Sequence, residues 1–345
     1  MLTYSQRKIL FWLSVVAFIA LIPVVILYAL GYRLDDAWRL QKTGGISINA
    51  DISGSQIYID GKLQRTTNLF QNGVFVNNLS PGEYDVIVKR ENYLDWRKNL
   101  EVRSQLVTEA RALLVPEETQ AQILLRGKFS NLYASEFNPV LVLSEEKENE
   151  KIVRWYLPQG REFLTDTGAL LRYKENFEIV RWLPDGVVLK LDGKVYRMRF
   201  SLGGKTASSV SLGGELPSKT AEEIAESFQK RDGRDFVEIR FIPGQNILKA
   251  DWVGEIIPPY FFSSQEEILV QNKIVRNFEI YPGRRDIVLA SFDNGVWAIE
   301  IDGRSERAVY PIYKGREPNF VLLPNSDELY ILDAEVLIEA ELRAE

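Results

Sequence analysis

Forty-eight aspartates and glutamates stand against 42 lysines and arginines in this 345-residue chain, which has no histidine and no cysteine. Without imidazole there is no Ser-His-Asp triad, no imidazole base and no imidazole ligand for zinc, copper or haem. Without thiols there is no disulfide, no thiolate nucleophile and no thiolate metal site. What remains is chemistry run on carboxylates, lysine, tyrosine, serine or a hard cation held by oxygens. Two suitably spaced carboxylates suffice to hydrolyse a glycoside, but no motif here places such a pair together. Glu145, Glu146, Glu148 and Glu150 lack the alternating Asp/Asn ligands and following Gly of a calcium loop, and read as a solvated turn. Gly204-Lys205-Thr206 matches the end of a phosphate-binding loop, yet Arg199 stands where that loop needs its first Gly. The expectation is therefore no catalytic residue, no metal site and no cofactor.

The elements that would position any function begin with an apolar run. Residues 1–8 form a short basic tail, and Ile9 to Leu30 then gives 22 residues without a charge. At about 1.5 Å per residue this crosses a roughly 30 Å hydrocarbon layer. Pro23 is tolerated in a spanning helix, and Phe11, Trp12, Tyr28, Tyr32 and Trp38 suit aromatic belts at the two interfaces. Ala29-Leu30-Gly31 also offers a small-x-small cleavage site, but the run exceeds the roughly 7–15 residues of a signal-peptide core, which favours an uncleaved anchor. Arg7 and Lys8, with no acid beside them, favour a cytoplasmic N-terminus and an exported body on the cell membrane. That body is more acidic than the whole chain's net −6, which argues against nucleic acid as a partner.

After a juxtamembrane linker at 31–44, residues 45–116 alternate with period two. Ile57 and Ile59 share a face before the Asp60-Gly61 turn, Ser80-Pro81-Gly82-Glu83 is a second turn, and Tyr84, Val86 and Val88 alternate with Asp85, Ile87 and Lys89. About seven short strands predict a small antiparallel sandwich. Trp96 reads as a core aromatic and Pro81-Gly82-Glu83 as turn chemistry, not as a site. The order Ile57-Tyr58-Ile59-Asp60-Gly61-Lys62, Leu79-Ser80-Pro81-Gly82-Glu83-Tyr84-Asp85-Val86, Tyr93-Leu94-Asp95-Trp96 resembles the PEGA domain, a β-sandwich of exported and membrane-anchored microbial proteins. The resemblance implies an envelope-associated interaction or spacer module with no catalytic residues. Two departures stand out. Gln64-Arg65-Thr66-Thr67 has no proline after the Asp-Gly-Lys block, and a long stretch from Asn68 to Asn78 follows it. Asn92 replaces the usual Gly before Tyr93, and Asn is the residue that best substitutes for Gly in a left-handed backbone.

Residues 117–345 carry prolines in matching settings at 139, 184, 243, 282 and 324, with steps of 45, 59, 39 and 42. A period near 40–45 residues is that of a four-stranded propeller blade. Second turns recur at Asp192-Gly193, Asp293-Asn294-Gly295 and Asp333-Ala334-Glu335. These units resemble the Pro-Asp-Gly-type blades of Tol-system periplasmic propellers; the length allows five, with closure of the ring left open. The long step predicts an insertion at 201–235 with a helix capped by Thr220 and Glu223, carrying Ile224 and Phe228 on one face and stopped by Gly233.

Pro258-Pro259-Tyr260-Phe261-Phe262 is the most conspicuous apolar run. Aromatics between turn signals usually enter a β core as a strand; exposed on a loop, Tyr260, Phe261 and Phe262 would form a partner-binding surface. The expected molecule is all-β apart from its anchor helix and the insertion. Two functions follow: a non-catalytic membrane-anchored envelope protein binding a protein partner or envelope polysaccharide, or a propeller-based hydrolase acting on glycans through Asp/Glu.

Overall fold

The computed structural model describes residues 4–34, 38–168, 170–212, 229–231, 236–261, 265–324 and 326–342. The chain divides into two compact units, Met1–Leu114 with Arg304–Glu306, and Val115–Gly303 with Arg307–Glu345.

The first unit opens with α1 (Tyr4–Ala29), longer at its start than the charge-free run because Tyr4 to Lys8 continue the same helix. It contains Pro23 and is exposed along its length. Gly31, at φ +80, ends the helix, its N–H donating to the Tyr28 carbonyl. The stretch expected as a linker is instead an antiparallel hairpin, β1 (Tyr32–Leu34) with β2 (Leu40–Lys42).

Seven strands follow, as the alternation predicts: β3 (Gly44–Ala50), β4 (Gln56–Ile59), β5 (Lys62–Thr66), β6 (Gly73–Leu79), β7 (Gly82–Lys89), β8 (Trp96–Val102) and β9 (Val107–Ala112). They form two sheets, ordered β6-β3-β9 and β5-β4-β7-β8. The sandwich is not wholly antiparallel, since β9 runs parallel to β3 from Gly45↔Val107 to Ala50↔Ala112. Chain order alone does not reveal this, because β9 returns after five intervening strands instead of by a hairpin. Ile46, Ile48, Ile57, Ile59, Val86, Val88, Trp96 and Leu100 fill the core. Asp60 and Gly61 both take positive φ (48° and 72°), the two-residue turn that matches strand twist. Asn92 sits at φ 63°, the left-handed position inferred from its place before Tyr93.

The second unit begins with β10 (Ala121–Arg126) and continues through five sheets, three of four strands and two to which a short fifth strand adds. Sheet I holds β11 (Phe129–Ala134), β12 (Leu141–Lys147), β13 (Glu150–Leu157) and β14 (Glu162–Phe163). The short β15 (Thr165–Asp166) and β16 (Arg172–Tyr173) lie on the path to sheet II, made of β17 (Phe177–Leu183), β18 (Gly186–Leu191), β19 (Lys194–Ser201) and β20 (Thr206–Ser211). Sheet III is β21 (Gln229–Arg231), β22 (Val237–Ile242), β23 (Ile247–Trp252) and β24 (Glu266–Gln271). Sheet IV is β25 (Asn277–Ile280), β26 (Ile287–Phe292), β27 (Gly295–Glu300) and β28 (Val309–Lys314). Sheet V has β29 (Asn319–Leu322), β30 (Glu328–Asp333) and β31 (Val336–Glu341), with β10 as its fourth strand. The fifth sheet is therefore completed by the start of the unit pairing with its end, Ala121↔Ala340 through Arg126↔Val336. Apolar layers couple sheets I and II, III and IV, and I and V. The architecture is propeller-like.

The repeat is more even than the prolines suggest. First strands start at Phe129, Phe177, Gln229, Asn277 and Asn319, 42–52 residues apart. Pro139, Pro184, Pro282 and Pro324 lie between first and second strands, whereas Pro243 lies between the second and third. This one-strand offset, added to a longer connection after β20, produces the long step and the short one that follows. Part of the expected insertion is blade structure, since 206–211 and 229–231 are strands. The rest of the expected helix, with Thr220, Glu223, Ile224, Phe228 and Gly233, lies outside the described residues.

Candidate functional site

The aromatic run is not a strand. It lies in the connection between β23 and β24, where the Phe261 N–H donates to the Pro258 carbonyl (3.0 Å) in a turn with Pro259 inside it. Phe261 is only 4% exposed and packs with Val237, Leu248, Val288 and Phe292; Tyr260 is half-buried against the same layer. Trp252 stacks on Phe236 at 5.6 Å and meets Phe261 at 5.7 Å. Phe261 is thus a packing residue, because an apolar ring beside a core gap gains more by filling it than by facing water. Phe262 lies outside the described residues. Among the described residues, the exposed large apolar side chains of this loop are its neighbours Val253, Ile256 and Ile257, which carried no sequence signal beyond their own hydrophobicity.

The acidic groups are matched by bases. On the face of sheet III opposite its apolar layer, Glu238, Asp251 and Glu266 fall in one cross-strand row, flanked by Arg240 and Lys249. Arg240 Nη2 lies 2.7 Å from Asp251 Oδ2, and Lys249 pairs with both Asp251 and Glu266. Asp251 holds the Arg240 guanidinium protonated even more firmly than usual, and Lys249 draws the Glu266 carboxyl below its ordinary range. Arg284 grips Asp286 with two nitrogens (2.7 and 2.6 Å) in a nearly buried pair, and Arg307 reaches Glu267 at 3.0 Å. In the acidic run Glu145 pairs with Lys147 and Arg154, Glu146 with Lys151 and Glu150 with Arg172. Its hairpin borders a cleft of about 570 Å³ lined by Lys147, Glu148, Asn149, Glu150, Ile152, Leu170, Arg172 and Lys174, a surface of mixed charge. Such networks order and orient chains.

Asp166 is a carboxyl pushed upward, by burial first, with the Arg154 guanidinium opposing. Asp192 is pulled down because its carboxylate accepts the N–H groups of Asn176, Lys174 and Glu175 at 2.7–3.1 Å. Asp192 occupies the turn after β18 and so clamps the chain entering β17 of its own sheet. Asp333 does the same in sheet V, accepting from the Arg316 N–H and, at 2.8 Å, the Tyr313 hydroxyl; in sheet IV Asp293 holds the Arg276 side chain. The turn signal was visible in the sequence, but not this second use of its aspartate. Gly204-Lys205-Thr206 is the β19–β20 hairpin turn, with Lys205 2.6 Å from Glu162, so no strand-to-helix phosphate cradle exists there. Among the described residues no group of three acidic side chains is placed to hold a metal ion.

The most exposed apolar feature of the sandwich is the tip between β5 and β6. Asn68 Oδ1 accepts from the N–H groups of Phe70 (2.9 Å) and Gln71 (3.0 Å), and Asn68 and Gln71 exchange backbone hydrogen bonds, holding Leu69 and the 95% exposed Phe70 in solvent. This is the long stretch that departs from the family pattern. It lies at the Asn49↔Gly73 end of the β3–β6 pair, away from the Gly44↔Leu79 end that adjoins the hairpin after α1.

Residues 43–118 match the PEGA domain. No curated protein matches the chain. Among solved structures, a luciferin-regenerating enzyme is 10% identical with a TM-score of 0.38, covering 65% of this chain and 95% of its own. A gluconolactonase of Xanthomonas campestris is 10% identical at a TM-score of 0.27, covering 75% and 82%. An auxiliary nutrient binding protein of Bacteroides thetaiotaomicron is 10% identical at 0.24, covering 86% and 83%. The architecture itself rests on the strand pairing.

Proposed function

We propose that this chain, whose residues 43–118 form a PEGA domain, is a single-pass membrane protein that displays two β units outside the membrane to bind an envelope protein or polysaccharide, without catalysis. The observation that carries the reading is the helix Lys8–Ala29, 22 residues long, apolar and unburied, which has no place in a water-soluble molecule unless another phase covers it. The ion-paired carboxylates support binding over bond-breaking, and the exposed Leu69-Phe70 tip supplies a contact point on the sandwich. The N-terminus is cytoplasmic in this reading, from Lys8 and the acid-free tail. Protease added outside intact cells, with any outer layer permeabilised, digests the β units; complete protection reverses the orientation. A full chain that captures neither envelope proteins nor wall polymers when wild type and Leu69→Ser/Phe70→Ser are compared removes the binding role.

A second reading, glycan hydrolysis, draws on Asp166, whose raised carboxyl has the character of a general acid. Hydrolysis of a glycan panel that disappears in Asp166→Asn would establish it in place of the first.

A further inference from the structure

We propose that the paired strands β1 and β2, with Trp38, form an interfacial foot, seated in the headgroup layer of the bilayer with Leu34, Leu40 and Trp38 turned into the lipid; this rests on α1 spanning that bilayer. Period-two geometry divides the hairpin into two faces. Leu34 pairs with Leu40 and Tyr32 with Lys42 on one side, while Arg33 and Gln41 pair on the other. The second side is occupied by the protein. Arg33 Nη2 donates to Asn78 Oδ1 (2.7 Å), its Nη1 donates to the Tyr28 carbonyl (2.9 Å), and its guanidinium lies 3.6 Å from the Tyr28 ring centre. Gln41 Nε2 donates to Ser80 Oγ at 3.0 Å. Thr43 fastens the far end, its N–H and its hydroxyl both donating to the Gly31 carbonyl at 3.0 Å. The hairpin is therefore tied to the helix end and to the sandwich at once.

On the first side Lys42 Nζ donates to Gln105 Oε1 (3.0 Å) and lies over the Tyr32 ring, so that end too meets the protein, while the leucine pair has no such cover. Leu34 is 57% exposed, Leu40 48% and Trp38 83%, with Trp38 held at φ 59°. Twenty-two helical residues reach about 33 Å, so a roughly 30 Å hydrocarbon core places Ala29 at its edge with no slack. Two residues, Leu30 and Gly31, then separate Ala29 from Tyr32, at most about 10 Å of chain over three Cα steps, which keeps the hairpin at headgroup depth. An aromatic and two leucines beside Lys42 at that depth are the composition of an interfacial anchor. Residues 35–37 lie outside the described residues and the site does not include them.

Because the chain has no cysteine, one introduced thiol is labelled uniquely. The full chain is reconstituted in phosphatidylcholine vesicles with an environment-sensitive fluorophore at Leu34→Cys, Trp38→Cys or Leu40→Cys, at Phe70→Cys on the distant tip, or at Ile19→Cys in the helix. The expected result is quenching at 34, 38 and 40 by shallow spin-labelled lipid, with iodide quenching reduced about five-fold or more relative to position 70. Iodide quenching at 34, 38 and 40 equal to that at 70, while Ile19 is still quenched by deep spin-labelled lipid, overturns the foot and leaves the span standing. Loss of deep quenching at Ile19 overturns the span and the foot together.

Discussion

The completion of the fifth sheet by β10 sets a quantitative expectation. Gln122 and Glu339 are register partners across β10 and β31, and their side chains are hydrogen-bonded. Opposed residues in an antiparallel pair lie about 4.5–5.5 Å apart at Cα, inside the roughly 4.4–6.8 Å range of disulfides. The double variant Gln122→Cys/Glu339→Cys should therefore oxidise within one chain, closing a loop whose ends are 217 residues apart. Loop-closure entropy for that length gives about 5 kcal/mol, a ceiling that native strain reduces. At about 2–4 °C per kcal/mol for a domain of this size, the upper bound is about 10–20 °C in Tm. The assay compares oxidised and reduced full-length protein by thermal unfolding, with non-reducing electrophoresis to show the intramolecular bridge. The control is Gln122→Cys/Glu341→Cys, whose diagonal separation of about 7–8 Å is beyond easy bridging. If the first pair bridges only between molecules, or no better than the control, β10 does not complete the fifth sheet and that pairing is wrong.

Three further outcomes follow from particular side chains. Asp192→Asn should lower thermal stability at pH 7, and the difference from wild type should vanish on acidification. The native carboxyl is held below its unfolded value near 3.9 by three N–H groups, so its contribution is present above that value and is lost as pH falls through the lower folded one. A difference independent of pH between 7 and 2 would remove the clamp's electrostatic role. Gly186→Ala should cost about 1–3 kcal/mol or more in denaturant unfolding, because a Cβ there would lie 1.9 Å from the Met198 carbonyl oxygen of the neighbouring strand. Trp96→Ala empties a fully buried site in the sandwich, a loss of about 3–5 kcal/mol. It should expose residues 43–118 to limited proteolysis that the wild type resists, and unchanged cleavage would show that the ring is not a core element.

The sequence by itself determined whatever depends on neighbours along the chain. The apolar length of α1, the alternation that buries Ile57 and Ile59, the Asp60-Gly61 turn and the left-handed Asn92 follow from local sterics and from the two-residue period of strands. The absence of His and Cys likewise decided which chemistries were out of reach before any fold was considered. Only the tertiary structure decided the rest. The parallel partnership of β9 with β3, the completion of the fifth sheet by β10 and the one-strand offset of Pro243 are choices among strand pairings that local pattern leaves equally open. The same holds for individual side chains. Phe261 reads as a core strand residue, or if exposed as a contact, until the layer between sheets III and IV takes it up from a turn, and Leu34 and Leu40 read as linker residues until Arg33 and Gln41 turn the other face of the hairpin inward. Burial is set by what the chain folds against, and in β structures those neighbours come from far along the sequence.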